Sequence, residues 1–283
     1  MVSVCMITYN HEAYIAEAIE GVLMQKTNFP IELVIGEDFS TDRTREICIL
    51  YKKNYPDIIK LRLPEKNMGM IPNFIENLKA CTSKYIAICE GDDYWTDPFK
   101  LQKQVDFLEG NLEFSLCFHN SLVKNERVLL KNRLFCDANL KEVATIKNVI
   151  EDEWFIPTQS IVFRKSCFED QPWHKFVFGG DFVLHLTLAL KGKFYYLPKV
   201  MSVYRRHKGS IGLTFNSNLH AIKIIESLSY FNQYTNFMYN EYIQNRFVRL
   251  SNNFYKSAIM SLPKLEKIFT PYYWLIRIKD LIN

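Results

Sequence analysis

The sequence predicts an α/β fold: a mostly parallel central sheet flanked by helices, with a helical extension at its C-terminal end. Three observations point there. Short apolar runs alternate with helical patterns through the first half of the chain, at the spacing of strand–helix–strand units. Polar clusters, Thr8-Tyr9-Asn10, Glu37-Asp38 and Glu90–Asp93, follow three of those runs, at the edge where open parallel sheets bind ligands. From about Asn218 glycine disappears and Tyr, Phe, Asn, Lys and Ile dominate, the composition of a separate helical segment. The division expected is 1–215 for the α/β domain and 216–283 for the extension.

Val2–Ile7 reads as a buried first strand. Glu12–Gln25 reads as a helix because Ile15, Ala18, Ile19, Val22 and Leu23 recur at helical spacing. Ile31–Gly36 is the second strand, after which Ser40 or Thr41 is placed to cap a helix over Arg43–Tyr55. Ile58–Leu63 is a third strand, and Ile71–Ala80 a helix entered through Pro72, a residue suited to a first turn. Tyr85–Cys89 is the fourth strand, and Pro98 opens a helix reaching Leu108. The second half is less regular. Leu116-Cys117-Phe118 and Ser160–Phe163 read as strands, Asp181–Leu190 as a helix ended near Gly192, and Phe194–Leu197 as a strand.

A chain of 283 residues can bury a sizeable core, and 48% hydrophobic with 23% charged content is that of an ordinary globular protein. A net charge of +4, without a dense Lys/Arg cluster interleaved with aromatics, argues against nucleic acid as a partner. The seven cysteines are odd in number, scattered, and lack a C-x-x-C pair, which suits a reducing compartment rather than disulfides or zinc. The chain begins directly on a strand-like run, without the regions of a signal peptide, and nowhere approaches 18 uninterrupted apolar residues. The expected location is the cytoplasm, or the inner face of its membrane.

The run Glu90-Gly91-Asp92-Asp93 carries the chemistry. Three carboxylates in one turn repel each other unless a cation sits among them, and residues two apart on an extended backbone share one side. Oxygen ligands of this kind suit a hard divalent cation, Mn²⁺ or Mg²⁺, that keeps positions open for phosphate oxygens. Such a site handles a nucleoside diphosphate.

Several motifs then fall in order. Val2–Asn10 resembles a first strand ending in T-Y-N, and Ile35–Thr44 is similar to V-V-D-D-G-S-T-D-x-T. Asn67-Met68-Gly69 resembles an N-x-G turn, and Glu90–Trp95 with Pro98 and Lys100–Gln104 a D-x-D-D motif and its trailing helix. Gly180-Asp181 and Tyr204-Arg205-Arg206-His207 resemble a later acidic motif and a Y-R-x-H segment. Over roughly residues 2–212 the chain resembles the family 2 glycosyltransferases of GT-A fold, inverting enzymes that use nucleotide sugars. The tail lies outside the resemblance.

The resemblance implies a GT-A sheet with a Rossmann-like nucleotide-binding half, and it implies roles. Thr8, Asn10 and Glu12 would line the nucleoside pocket, with Asn67 also on the donor side. Asp38 would accept a hydrogen bond from the base imide, uracil in the expected UDP-sugar. Asp92 would hold the metal, with Glu90, which stands where the family usually has Asp, beside it. Asp93 would share the metal or hold the sugar. Arg205 and Arg206 would bind the pyrophosphate from a flexible loop, and His207 would complete the metal shell. Asp181 would be the general base, although Gly180 stands where the family often has another acid. Trp95 would stack on a sugar ring, and Gln159, with Trp154, would line the acceptor site.

The implied activity is transfer of a sugar from a UDP-sugar to a hydroxyl of a glycan or lipid-linked glycan, in bacterial polysaccharide or surface-glycan assembly. Two alternatives remain open. A sugar nucleotidyltransferase would carry a Gly-rich, basic phosphate loop after the first strand, where this chain has Thr8–Glu12. A non-catalytic carbohydrate- or lipid-binding scaffold of the same fold is hinted at by Glu90 and Gly180. In the tail, the aromatic and basic run Phe269–Lys279 is suited to lying on an anionic membrane, or to covering its own domain or a partner subunit in a homodimer.

Overall fold

A computed structural model describes residues 1–126, 131–152, 155–170, 180–210 and 217–261. The chain forms two compact units, Met1–Thr214 and Phe215–Asn283.

In the first unit β1 (Val2–Thr8), β2 (Ile31–Glu37), β3 (Ile59–Arg62) and β4 (Tyr85–Ile88) pair in parallel in the order β3-β2-β1-β4. The helices α1 (Ile15–Leu23), α2 (Thr44–Asn54) and α3 (Met70–Ala80) connect or flank them. Beyond β4 the sheet continues through β9 (Val162–Arg164), β6 (Phe114–Asn125), β10 (Lys193–Arg206) and β5 (Tyr94–Trp95). Only β9 and β5 run against the common direction on this path. The two-residue strands β7 (Arg133–Leu134) and β8 (Val143–Ala144) pair at the side with β6 and β10. Three further helices, α4 (Lys100–Gly110), α5 (Ile146–Glu151) and α6 (Gly180–Ala189), complete the unit.

The strands read as continuous apolar runs because both faces are covered: Val2, Val4, Met6, Leu33, Ile35 and Ala87 pack with Ile15, Ile19, Val22 and Cys48 in one core. On the other face α3 sends Asn77 Nδ2 to the carbonyls of Val34 (2.9 Å) and Met6 (3.1 Å), and Asn73 Nδ2 to that of Gly36 (2.8 Å).

Two local expectations change. Ser40 and Thr41 do not cap α2. Ser40 Oγ accepts from the Asn10 N–H and Thr41 donates its N–H to Asn10 Oδ1, so both serve the turn after β1. The Asp42 carboxylate, accepting from the Thr44 N–H at 2.9 Å, satisfies the helix start instead. The larger change is β10. Its pairing with β6 shifts register between Leu197 and Val200 and then runs on to Arg206↔Asn125. Tyr204-Arg205-Arg206 is therefore the end of a 14-residue strand and not a flexible loop.

In the second unit α7 (Ser217–Tyr234) and α8 (Asn240–Ser261) bury Leu228, Phe231 and Ile243, with the rings of Phe231 and Tyr239 stacked at 6.0 Å. The run Phe269–Lys279 and Trp154 lie outside the described residues. Among the described residues no helix is long and apolar enough to cross a membrane.

Candidate active site

Because β1, β2, β4, β6 and β10 run the same way, their carboxyl ends deliver Thr8, Asp38, the Glu90–Asp93 turn, Glu126 and Arg205–His207 to one edge. Asp92 is the hub. Its Oδ2 lies 3.1 Å from His207 Nε2 and 3.9 Å from His11 Nε2. His11, Asp92 and His207 each offer one ligand atom, all within 4.8 Å of one another. With ligand bonds of about 2.1 Å, atoms on opposite sides of one ion stand about 4 Å apart, so a small contraction seats all three on a single cation. The residues fit a divalent metal. Burial opposes charge on Asp92, but the hydrogen bond from His207 and the two facing imidazoles outweigh it and hold the carboxyl below its ordinary range.

His11 is the residue that sequence reasoning left unassigned. Its position is built locally: the His11 N–H donates to Thr44 Oγ1 (2.8 Å), and its Nδ1 meets Thr8 Oγ1 at 3.2 Å. Gly91 makes the approach possible, because its N–H reaches the Ile7 carbonyl at 3.0 Å. Tyr14, also missed, packs its ring 4.5 Å from that of His207 and donates its hydroxyl to Glu126 Oε2 at 2.9 Å.

Glu90 is not part of the triad. It is half-buried; burial first, then the charges of Asp92 and Asp181, raise its pKa to about 8. Asp93 is buried, its Oδ1 accepting the Arg205 N–H at 2.8 Å while Oδ2 has no partner among the described residues. Burial and the neighbouring Asp92 and Glu90 push its pKa well above the ordinary value. Arg205 is also buried and already engaged. Its guanidinium donates to the Asp92 carbonyl (2.8 Å) and to Glu17, and lies over the rings of Tyr94 (4.3 Å) and Tyr14 (5.1 Å). It braces the carboxylate turn instead of facing a pyrophosphate. Half-buried Arg206, next along the strand, makes no salt bridge among the described residues.

The residues expected to border a nucleoside form one hydrogen-bonded rim. Glu12 accepts the Arg43 N–H (2.9 Å) and gives its own N–H to Asp42, while Asn10, at φ 55°, holds Ser40 and Thr41. Asp38 is 3% exposed and both its oxygens are taken, by the N–H groups of Met68 (2.8 Å) and Gly69 (2.9 Å). Asn67 Nδ2 returns to the Asp38 carbonyl at 2.9 Å, and Gly69 adopts φ +86°, which explains its glycine. Asp38 thus shapes the 67–69 turn from a buried position. Phe39 follows at φ +61° with its ring 44% exposed, where the resembling motif has glycine.

Asp181 lies in the first turn of α6, accepting from Thr158 Oγ1 at 3.1 Å. Trp95 does not offer a stacking face: it is 2% exposed, its Nε1 donates to the Gln159 carbonyl (2.8 Å), and Lys100 Nζ covers the ring at 4.1 Å. Gln159 is fully buried, its side-chain amide unpartnered among the described residues.

The model of the family described as Glycosyl transferase family 2 matches residues 3–171. An uncharacterized protein of Mycobacterium tuberculosis (strain H37Rv) is 39% identical over 210 residues, which cover 74% of this chain and 60% of that protein. The chain thus spans less than two thirds of that relative's length. Among solved structures, S. aureus TarS in complex with UDP-GlcNAc superposes with a TM-score of 0.58 at 17% identity, covering 93% of this chain and 81% of the other. A mannosyltransferase from Pyrobaculum calidifontis in complex with GDP-Man and Mn²⁺ superposes with a TM-score of 0.58 at 16% identity, covering 99% and 86%. At these identities the two structures share the fold.

Proposed function

This chain belongs to glycosyl transferase family 2, and on that premise we propose that it transfers a sugar from a nucleoside-diphosphate donor, a UDP-sugar first, to a hydroxyl of a glycan or lipid-linked glycan, with inversion at the anomeric carbon. The observation that carries the reading is the His11–Asp92–His207 cluster, in which Asp92 comes from the carboxylate turn that also holds Glu90, with Asp181 near enough to help raise the Glu90 pKa. A cation site and a carboxylate base are what a diphosphate leaving group and an attacking hydroxyl require.

His11, Asp92 and His207 would hold the metal. Two imidazoles among three ligands favour a first-row transition ion such as Mn²⁺ over Mg²⁺. When bound, it supplies positive charge against the departing diphosphate. Arg206 is the guanidinium left for a phosphate oxygen. Asn10, Glu12, Asn67 and the turn held by Asp38 border the nucleoside. Asp181 takes the proton of the acceptor hydroxyl from the face opposite the leaving group, as single-displacement inversion demands. The context we favour is surface-glycan assembly at a cytoplasmic membrane face, supported by the aromatic and basic sequence Phe269–Lys279.

The test is a thermal-shift screen with UDP, UDP-GlcNAc, GDP and GDP-mannose, with and without Mn²⁺. Binding to the native state raises the melting temperature by mass action. A metal-dependent rise for one nucleotide is expected, abolished in Asp92→Ala and weakened in His11→Ala. Absence of any shift at saturating Mn²⁺ would overturn the donor site.

A further inference from the structure

We propose that Thr158 is a positioning residue for Asp181, its hydroxyl fixing the orientation of the carboxylate that accepts the proton from the acceptor. The inference rests on the reading of Asp181 as the base.

Among the described residues each Asp181 oxygen receives one donor: Thr158 Oγ1 reaches Oδ2 at 3.1 Å and the Phe182 N–H reaches Oδ1 at 2.8 Å. Each oxygen keeps a lone pair for an incoming proton. The donor at Oδ2 comes from a rigid support. Thr158 is 8% exposed and begins the short helical turn Thr158–Ser160, entered through Pro157. That turn is pinned from several sides. The Pro157 carbonyl accepts from the Ser160 N–H (2.9 Å) and hydroxyl (2.6 Å), the Gln159 carbonyl from Trp95 Nε1 (2.8 Å), and the Ser160 carbonyl from Gln104 Nε2 (2.9 Å). A β-branched side chain adds a stiff χ1. The buried Trp95 and Gln159 thereby serve the acceptor side from behind, by holding the turn that holds Asp181.

Two ionisable groups bear on Asp181. Glu90, from the carboxylate turn, feels the like charge of Asp181, which helps to raise its pKa. His185 lies one helical turn along α6; burial lowers its pKa to about 4, so it is neutral near pH 7 and offers no compensating charge. Among the described residues the Thr158 hydroxyl is the side-chain donor on Asp181, and it sets the direction in which the carboxylate faces.

The experiment follows the Asp181 side-chain carboxyl carbon by NMR against pH in aspartate-labelled full-length protein, the resonance being assigned by its loss in Asp181→Asn. This reading needs no donor. In Thr158→Val, which keeps the side-chain shape, that titration should move away from the wild-type midpoint, because the carboxylate loses a hydrogen bond. Thr158→Ser should restore it. Hydrolysis of UDP-GlcNAc or GDP-mannose, whichever gives the metal-dependent thermal shift, should fall about threefold to tenfold in kcat in Thr158→Val, with KM for the donor unchanged. If Asp181→Asn keeps wild-type turnover, the base assignment fails and the role of Thr158 fails with it. If Asp181→Asn is inactive while Thr158→Val keeps the wild-type midpoint, only the Thr158 inference is overturned.

Discussion

A methyl group at position 91 has no room. A Cβ there would stand 2.5 Å from Thr8 Oγ1 and 3.1 Å from His11 Nδ1, the two atoms that seat the first imidazole. Gly91→Ala should cost about 1–3 kcal/mol of stability and displace His11, so Mn²⁺ affinity falls while the fold survives. Mn²⁺ titration by electron paramagnetic resonance beside urea unfolding separates the two effects. Lys100 presents the opposite case, a residue the fold tolerates at a cost. Its ammonium is fully buried without a hydrogen-bond acceptor among the described residues, and burial lowers its pKa from 10.5 to about 7. Between those values the unfolded chain binds the extra proton, so stability rises with pH across the window. Lys100→Met should stabilise the protein by about 1–3 kcal/mol at pH 6, with the gain vanishing above pH 10.5. Urea midpoints at pH 6, 8 and 10 check the slope.

Between elements, Glu32 on β2 joins four segments. It accepts from Ser3 on β1 and from the Thr82 N–H (3.2 Å) and Ser83 hydroxyl (3.4 Å) before β4, and pairs with Lys60 on β3. Burial opposes its charge, but Lys60, Ser3 and Thr82 outweigh it and lower the pKa from 4.5 to about 2. A depressed carboxylate contributes stability that is present above pH 4.5 and lost as pH falls toward 2. Glu32→Gln should lose about 1–3 kcal/mol at pH 7 and flatten that limb, read by acid titration of the circular-dichroism signal. The same scale explains what the sequence could reveal. β1, β2 and β4 were legible because each is a mostly apolar run and β3 because apolar residues alternate with basic ones, while Asp92 and Asp181 drew notice because their motifs stand next to regular elements. β10 was not, since Pro198-Lys199 interrupts its pattern and a register shift carries the strand past them. Tyr204–His207 therefore read as a loop, and His11 lacked a visible partner. Trp95 misled for a related reason. Its burial follows from pairing with Ser202 on β10 and from Gly21, where a Cβ would stand 2.9 Å from the Trp95 nitrogen. Neither contact is local in sequence.

For the molecule as a whole, every residue proposed for the donor site falls in the unit Met1–Thr214. Hydrogen exchange with UDP and Mn²⁺ should therefore slow amides at 8–12, 90–93 and 205–207, and leave 217–261 unchanged; protection in α7 or α8 would relocate the donor. The long strand β10 sets a further condition, on when the site can exist. The Arg205 N–H that closes on Asp93 comes from 112 residues downstream, and the imidazole on Asp92 from 115. Contacts of that span cannot form until the intervening chain is made and its loop closed. A nascent chain halted before Arg205 holds the acidic turn and His11 but neither Arg205, which braces that turn, nor His207. The His11–Asp92–His207 cluster is thereby postponed to the last strand of the unit to leave the ribosome, and its three side chains meet only once the sheet beneath them is finished.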